Sequence, residues 1–248
     1  MNLYQLVDYN ASVLQTAQFK DYSPNGLQVE GRGEVRRIAT AVTASKQVID
    51  ESIAWGADAI LVHHGYFWRN EAPCIVGVKK QRIAELLKHD VSLLAYHLPL
   101  DAHAELGNNA RLAAALGLRE QGRFGEQNIA CYGALDVSQS LADFALGIES
   151  ALQRAPLVIG HAGKMLHRAA WCSGGGQGYF EAAIAQGVDV FVTGEISEQS
   201  YHLSRETGVA FISAGHHASE RLGIQALGEH LASRFDLEHR FFDQANPV

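Results

Sequence analysis

The chain has 248 residues, 47% of them hydrophobic, enough for one large domain or two modest ones with real cores. No stretch reaches the roughly 18 consecutive apolar residues that a membrane span needs, and the opening MNLYQLVDYNAS has neither the basic cluster nor the apolar run of a secretory leader. The formal net charge of −7 speaks against nonspecific nucleic-acid binding, which goes with a basic excess, and leaves DNA only a local basic patch.

Cys74, Cys131 and Cys172 are far apart, odd in number and form no CxxC, so neither a disulfide framework nor a zinc-thiolate site is expected. A reducing cytoplasm is the expected compartment. Histidine is the unusual residue. There are 12, with adjacent pairs at His63-His64 and His216-His217. Imidazole is the commonest metal ligand and the usual acid/base group near neutral pH.

In chain order, Leu3 to Ala11 is expected to form a short helix, and Pro24-Asn25-Gly26 within DYSPNGLQVEG marks a turn. RIATAVT, from Arg37 to Thr43, reads as a strand. Ser45 is placed to cap a following helix with Val48, Ile49, Ser52 and Ile53 on one face, and Gly56 to end it. Ala59 to Val62 is a buried strand, with His63-His64-Gly65 at its C-terminal end. A helix near Gln81–His89 and a strand from Val91 to Tyr96 follow, then His97 and Asp101, then a helix over Asn108–Leu116. This alternation predicts parallel strands with crossover helices.

The second half repeats the theme. RIATAVTASKQVIDESIAWGADAILVHHG from Arg37 aligns without gaps on RAAWCSGGGQGYFEAAIAQGVDVFVTGEI from Arg168, matching Arg37 with Arg168, Ile53 with Ile184, Gly56 with Gly187 and Asp58 with Asp189. VSLLAYHLPLD and AFISAGHHASE then match His97 with His216 and Asp101 with Glu220. The expected fold is therefore α/β: two related α/β lobes from an internal duplication, at 1–118 and 167–248, joined by a folded connector at 119–166 containing a strand-like ACYGALDV and a helix-like Ser140–Gln153, with the metal site between the lobes.

Sites in α/β proteins are built at the C-terminal ends of parallel strands, where both His-rich loops fall. Adjacent side chains diverge, so His63 and His64 suit two ions better than one. His216 and Glu220, four apart, share a face if a helix begins there. With Asp101 these make three imidazoles and two carboxylates, more than one open zinc site needs and suited to two ions about 3.5–4 Å apart with a bridging carboxylate. His97 and His217 have weaker claims, as orienting groups or core hydrogen-bonders. Ser173-Gly174-Gly175-Gly176-Gln177 follows a strand and opens a helix, so it reads either as an anion cradle or as a plain tight turn. Glu195, in the position equivalent to the His63-His64 pair, either supports the site or belongs to a structural turn.

The motifs DYSPNGLQVEG, GADAILVHHGYFW, YHLPLDAHAELGNNA, WCSGGGQ, VTGEISEQ and AGHHASERLGI together resemble the NGG-interacting-factor-like family, whose members are often labelled GTP cyclohydrolase I type 2 homologues. The similarity spans nearly the whole chain, in the short form without an extra domain between the lobes. It implies a dinuclear metal centre held by His63, His64, Asp101, His216 and Glu220, and a toroidal homohexamer. Two functions follow as expectations. One is a metal-dependent hydrolase of a nucleotide-like or phosphorylated small molecule, with His97 as proton shuttle. The other is a non-enzymatic metal-dependent ring that binds a protein partner or DNA. Nitrogen and oxygen ligands suit zinc, iron, manganese or nickel alike.

Overall fold

In the computed structural model, which describes Met1–Val248, the first α/β repeat begins where its local chemistry says it should. Strand β2 (Arg37–Thr43), after α1 (Leu3–Val13) and β1 (Gly26–Val29), leads to Ser45, whose hydroxyl accepts from the Val48 amide and caps α2 (Lys46–Trp55). Such a cap contributes about 1 kcal/mol. Gly56 closes the helix at φ 85°, a left-handed conformation in which only glycine is unstrained. Then come β3 (Ala59–His64), α3 (Gly77–Lys88), β4 (Ser92–Ala95) and the short α4 (Leu98–Ala102).

The remaining elements are α5 (Asn108–Leu116), β5 (Leu118–Phe124), β6 (Ala130–Ser140), α6 (Leu141–Leu152), β7 (Leu157–Ile159), β8 (Met165–Cys172), α7 (Phe180–Ile184), β9 (Val190–Thr193), α8 (Glu198–Thr207), β10 (Ala210–Ser213), α9 (His216–Phe235) and β11 (Glu238–Phe241). The chain forms two compact units, Met1–Gly107 with Gly223–Ala245, and Asn108–Leu222 with Asn246–Val248. The first holds a five-stranded sheet in the order β1-β4-β3-β2-β11, parallel except for β1. The second holds a six-stranded sheet, β5-β6-β8-β9-β10-β7, in which β8, β9 and β10 are parallel and their neighbours antiparallel. No helix is long and apolar enough to cross a membrane.

Strand β3 is buried along Ala59–His63, and β4, β9 and β10 are buried throughout. Their apolar runs, not alternating patterns, are what two covered faces require. One core of the first unit gathers Leu3, Leu6, Ile38, Leu61, Leu94 and Leu227, and the core of the second gathers Leu112, Leu141, Phe144, Trp171, Val192 and Ile212.

These units are drawn differently from the lobes expected at 1–118 and 167–248. The stretch 119–166, expected as a connector, supplies β5, β6, α6 and β7 to the second unit. The reason is pairing: β6 runs antiparallel to β8, from Cys131 opposite Trp171 to Ser140 opposite Met165, so it belongs to the sheet. Its backbone groups bond along the ladder instead of leading across it.

The two units repeat one another at the level of single hydrogen bonds. Asp58 Oδ2 accepts from the amides of Arg36 and Arg37 at 2.8 and 2.9 Å, and Asp189 Oδ2 accepts from those of His167 and Arg168 at 2.8 and 3.0 Å. Ala59 pairs with Ile38 on one side and Ser92 on the other, as Val190 pairs with Ala169 and Ala210. These identical registers follow the gapless alignment of Arg37 on Arg168.

The same register corrects a later match. Tyr96 donates to the Val62 carbonyl and Ala214 to that of Thr193, so Tyr96 corresponds to Ala214, and His97 to Gly215 rather than to His216. His216 corresponds to Leu98, the first residue of α4, and Glu220 to Ala102. A His-x-x-x-acid pattern can be laid down at either offset; the backbone ladder permits one.

Candidate metal centre

In the first unit, β3 delivers His63 and His64 at its last two positions, between β2 and β4. The flanking strands take hold of both rings. His63 is fully buried, and its Nδ1 lies 2.9 Å from the Tyr96 carbonyl oxygen. A carbonyl only accepts, so Nδ1 carries a hydrogen and the ring turns Nε2 toward Asp101. That Nε2 lies 3.4 Å from Oδ1 of Asp101 on α4. His64 Nδ1 lies 3.3 Å from Thr43 Oγ1 at the end of β2. The two rings do not diverge as alternation along a strand predicts. Their centroids are 4.6 Å apart.

His97 completes this group. Its ring centroid is 5.0 Å from that of His63 and 5.7 Å from that of His64, and one nitrogen from each of the three lies within 4.8 Å of the others. The turn at Asp21–Gly26 is folded around it. Asp21 Oδ1 accepts from His97 Nδ1 at 2.7 Å, Asp21 Oδ2 accepts from the Leu98 amide and from Asn25, and Asn25 Oδ1 accepts from the His97 amide at 2.8 Å. Burial works against the Asp21 charge, but the bond and charge of His97, with those to Asn25 and the Tyr22 amide, outweigh it and bring the carboxyl down to about 2. Asp21 is thus an ionised acceptor, and His97 donates from Nδ1. Trp68 meets His97 nearly edge-on, with ring centroids 5.0 Å apart.

In the second unit, α9 begins at His216 and places it one turn from Glu220, with His216 Nε2 3.3 Å from Glu220 Oε2. Glu195, two residues beyond β9, lies with Oε1 2.7 Å from His216 Nδ1, while its Oε2 accepts from Gln177 at 3.0 Å. Burial lowers the His216 pKa, but the hydrogen bond and charge of Glu220, then those of Glu195, raise it to about 9. Glu195 therefore supports the site instead of serving only as a turn.

The glycine-rich loop makes room for this pair. A side chain at Gly174, which sits at φ 64°, would run into the Glu220 carboxylate. The Ser173, Gly174 and Gly176 amides donate to Asn109 Oδ1, Ser219 Oγ and Thr193 Oγ1. Three amides are thus used internally, which favours the tight turn over the anion cradle. His217 is buried, and its backbone amide bonds to the Val248 carbonyl.

The donor chemistry fits divalent cations. Asp101 and Glu220 are only 7% and 3% exposed, each beside an imidazole nitrogen. Buried carboxylates call for a positive partner. His63, His64 and His216 each have Nδ1 bound to a protein oxygen, the arrangement by which outer groups aim Nε2 at a metal. Asp21 and Asn25, which position His97, could not be picked out from sequence spacing; the only trace was the turn that carries them.

Comparison with known proteins extends this picture. A relative from Neisseria meningitidis serogroup B, named GTP cyclohydrolase 1 type 2 homolog, is 57% identical over 95% of this chain and 94% of its own. A solved structure described as protein ybgI, of unknown function, superposes with a TM-score of 0.97 at 47% identity over the full length of both chains. One from Thermus thermophilus gives 0.90 at 34% identity, again over both full lengths. The sequence profile of the Duf34/NIF3 (NGG1p interacting factor 3) family matches residues 1–247, and this chain belongs to that family.

Proposed function

We propose that this protein binds two divalent ions through His63, His64, Asp101, His216 and Glu220, and that it is a hydrolase acting on a nucleotide-like or phosphorylated small molecule. The carrying observation is the shared tethering of three imidazoles at Nδ1, to Tyr96 O, Thr43 Oγ1 and Glu195 Oε1, beside two buried carboxylates. In this reading all five residues would serve the two ions, with Glu220 the shared carboxylate, as the family resemblance implies. When bound, two such cations supply Lewis acidity toward a phosphoryl, amide or ring carbon and favour ionisation of water.

The chain's own residues do the rest. Asp21 holds the Nδ1 hydrogen of His97 and fixes the ring, leaving Nε2 to accept a proton from the attacking water and return it to the leaving group. The Trp68 and Tyr22 rings flank that of His97 at 5.0 and 6.4 Å. The names of the relatives support a nucleotide-like substrate. Family membership supports the homohexameric ring, for which light scattering should give a mass several-fold above 26.9 kDa.

The test is metal analysis of protein purified without chelator, followed by an activity screen against nucleotides, phosphoesters and cyclic amides. Two ions per chain and a turnover abolished in His63→Ala are expected. His97→Ala should lose turnover and keep both ions. Metal content near zero that added metal does not restore would sink the proposal.

A further inference from the structure

Beside the histidine cluster, the loop after β3 holds a conformation that its sequence does not favour. Phe67 sits at φ 65°, a left-handed value rare for a bulky residue and costing on the order of 1 kcal/mol or more. The surroundings hold it there. Glu71 Oε2 accepts from the amides of Phe67 and Trp68 at 2.7 and 3.2 Å, and Lys79 reaches Glu71 at 3.3 Å while lying 4.7 Å from the Phe67 ring. Trp68 Nε1 donates to the Gly65 carbonyl. The result fixes two side chains. Trp68 stands half-buried, its ring 6.0 Å from that of His64 and 5.0 Å from that of His97.

Arg69, exposed, is fixed as carefully as a surface arginine can be. Its amide donates to the Tyr22 carbonyl at 2.7 Å, its Nη2 donates to the Asp21 carbonyl at 3.0 Å, and its guanidinium lies 5.5 Å from the centre of the Tyr22 ring. Tyr22, itself 46% exposed, is 6.4 Å from the His97 ring. A guanidinium has five N–H donors, so one bond to a carbonyl leaves most of its fork for a ligand. Tryptophan supplies a flat apolar surface for a planar ring.

We propose that Trp68 and Arg69 form a substrate subsite for a planar heteroaromatic ring carrying an anionic group of the phosphate monoester kind, the ring packing on Trp68 and the anion on Arg69. Tyr22 and the Asp21 carbonyl position Arg69, and the clamp of Glu71 and Lys79 holds the loop in place. The subsite rests on the metal-centre reading for what becomes of the ligand, though not for its binding. A small anion rather than a nucleic acid fits one fixed arginine on a chain of net charge −7.

Calorimetry on metal-loaded full-length protein tests this with guanosine 5′-monophosphate, guanosine and ribose 5-phosphate. Arg69→Ala should weaken the two phosphorylated probes about tenfold, the loss expected for a charge-assisted contact, and leave guanosine unchanged. Trp68→Leu should weaken the two probes with a base about fivefold or more and spare ribose 5-phosphate, while Trp68→Phe and Arg69→Lys recover part of each loss. No binding of the nucleotide by the wild type, or equal effects of both variants on all three probes, would overturn the proposal. So would a preference for a single-stranded oligonucleotide over the mononucleotide. Metal content is measured on the same samples: binding without metal counts against the metal centre alone, and full metal without binding against the subsite alone.

Discussion

Asp21 and His97 lie 76 residues apart in sequence and meet at 2.7 Å through Oδ1 and Nδ1. The contact turns a surface turn into the back wall of the histidine cluster. It also links folding to pH. The Asp21 carboxyl falls from an ordinary 3.8 to about 2 in the folded chain, so ionised Asp21 favours the native state. That contribution is fully present above about pH 4 and disappears as pH falls through about 2.

Asp21→Asn should therefore cost about 1–2 kcal/mol near pH 7, the scale of a shift of this size. The difference from wild type should shrink toward zero as pH approaches 2. Denaturant titrations across that range measure it. A deficit that stays constant with pH would show that the Asp21 charge is not what stabilises the fold through His97.

Glu220 is the proposed shared ligand, and its carboxylate is nearly inaccessible. Glu220→Gln should weaken binding of both ions, whereas His64→Ala should weaken mainly one. Titration of metal-free protein with a colorimetric competitor separates the cases. Equal single-ion losses in both variants would count against sharing.

His216 offers a proton count. In the metal-free chain its pKa stands near 9, raised by Glu220 and Glu195 against the effect of burial. Metal uptake must displace that proton. Below pH 9 the apparent affinity of the ion on His216 should fall about tenfold per pH unit, until other ligands also take up protons. Calorimetry in buffers of different ionisation enthalpy should find about one proton released from this residue near pH 7.5. His216→Ala should remove it.

Gly174→Ala tests the space around the carboxylate. The added methyl would strain a backbone at φ 64° and press on Glu220. A loss of about 1–3 kcal/mol is expected, with reduced metal retention at the His216 side. Thermal unfolding with and without added zinc reads both effects. Unchanged metal content would mean that the loop serves packing alone.

Much of this was legible in the sequence because it depends on short-range rules. The limits of β2, the Ser45 cap and the Gly56 stop each follow from chemistry within one turn of chain. Asp58 and Asp189 could be matched because each lies 21 residues after its aligned arginine, although the helix between them has 10 residues in one half and 5 in the other. The contacts that aim the histidines were not legible. Thr43 to His64, Tyr96 to His63 and Asp21 to His97 join separate elements, and nothing in the spacing of either partner marks it for the other. Membership of β6 in the second sheet likewise depends on a register set by its partner.

The one-residue offset between His97 and His216 bears on what the repeat does and does not conserve. Two identical copies forming a symmetric pair would offer the same side chains at equivalent positions. Here the halves keep equivalent backbones, while Asp101 stands where the other half has Ser219, and Glu220 where the other has Ala102. The repeat thus holds for the backbone and not for the proposed ligands: each half contributes its carboxylate from a different position of its own helix, so neither half could stand in for the other at the site.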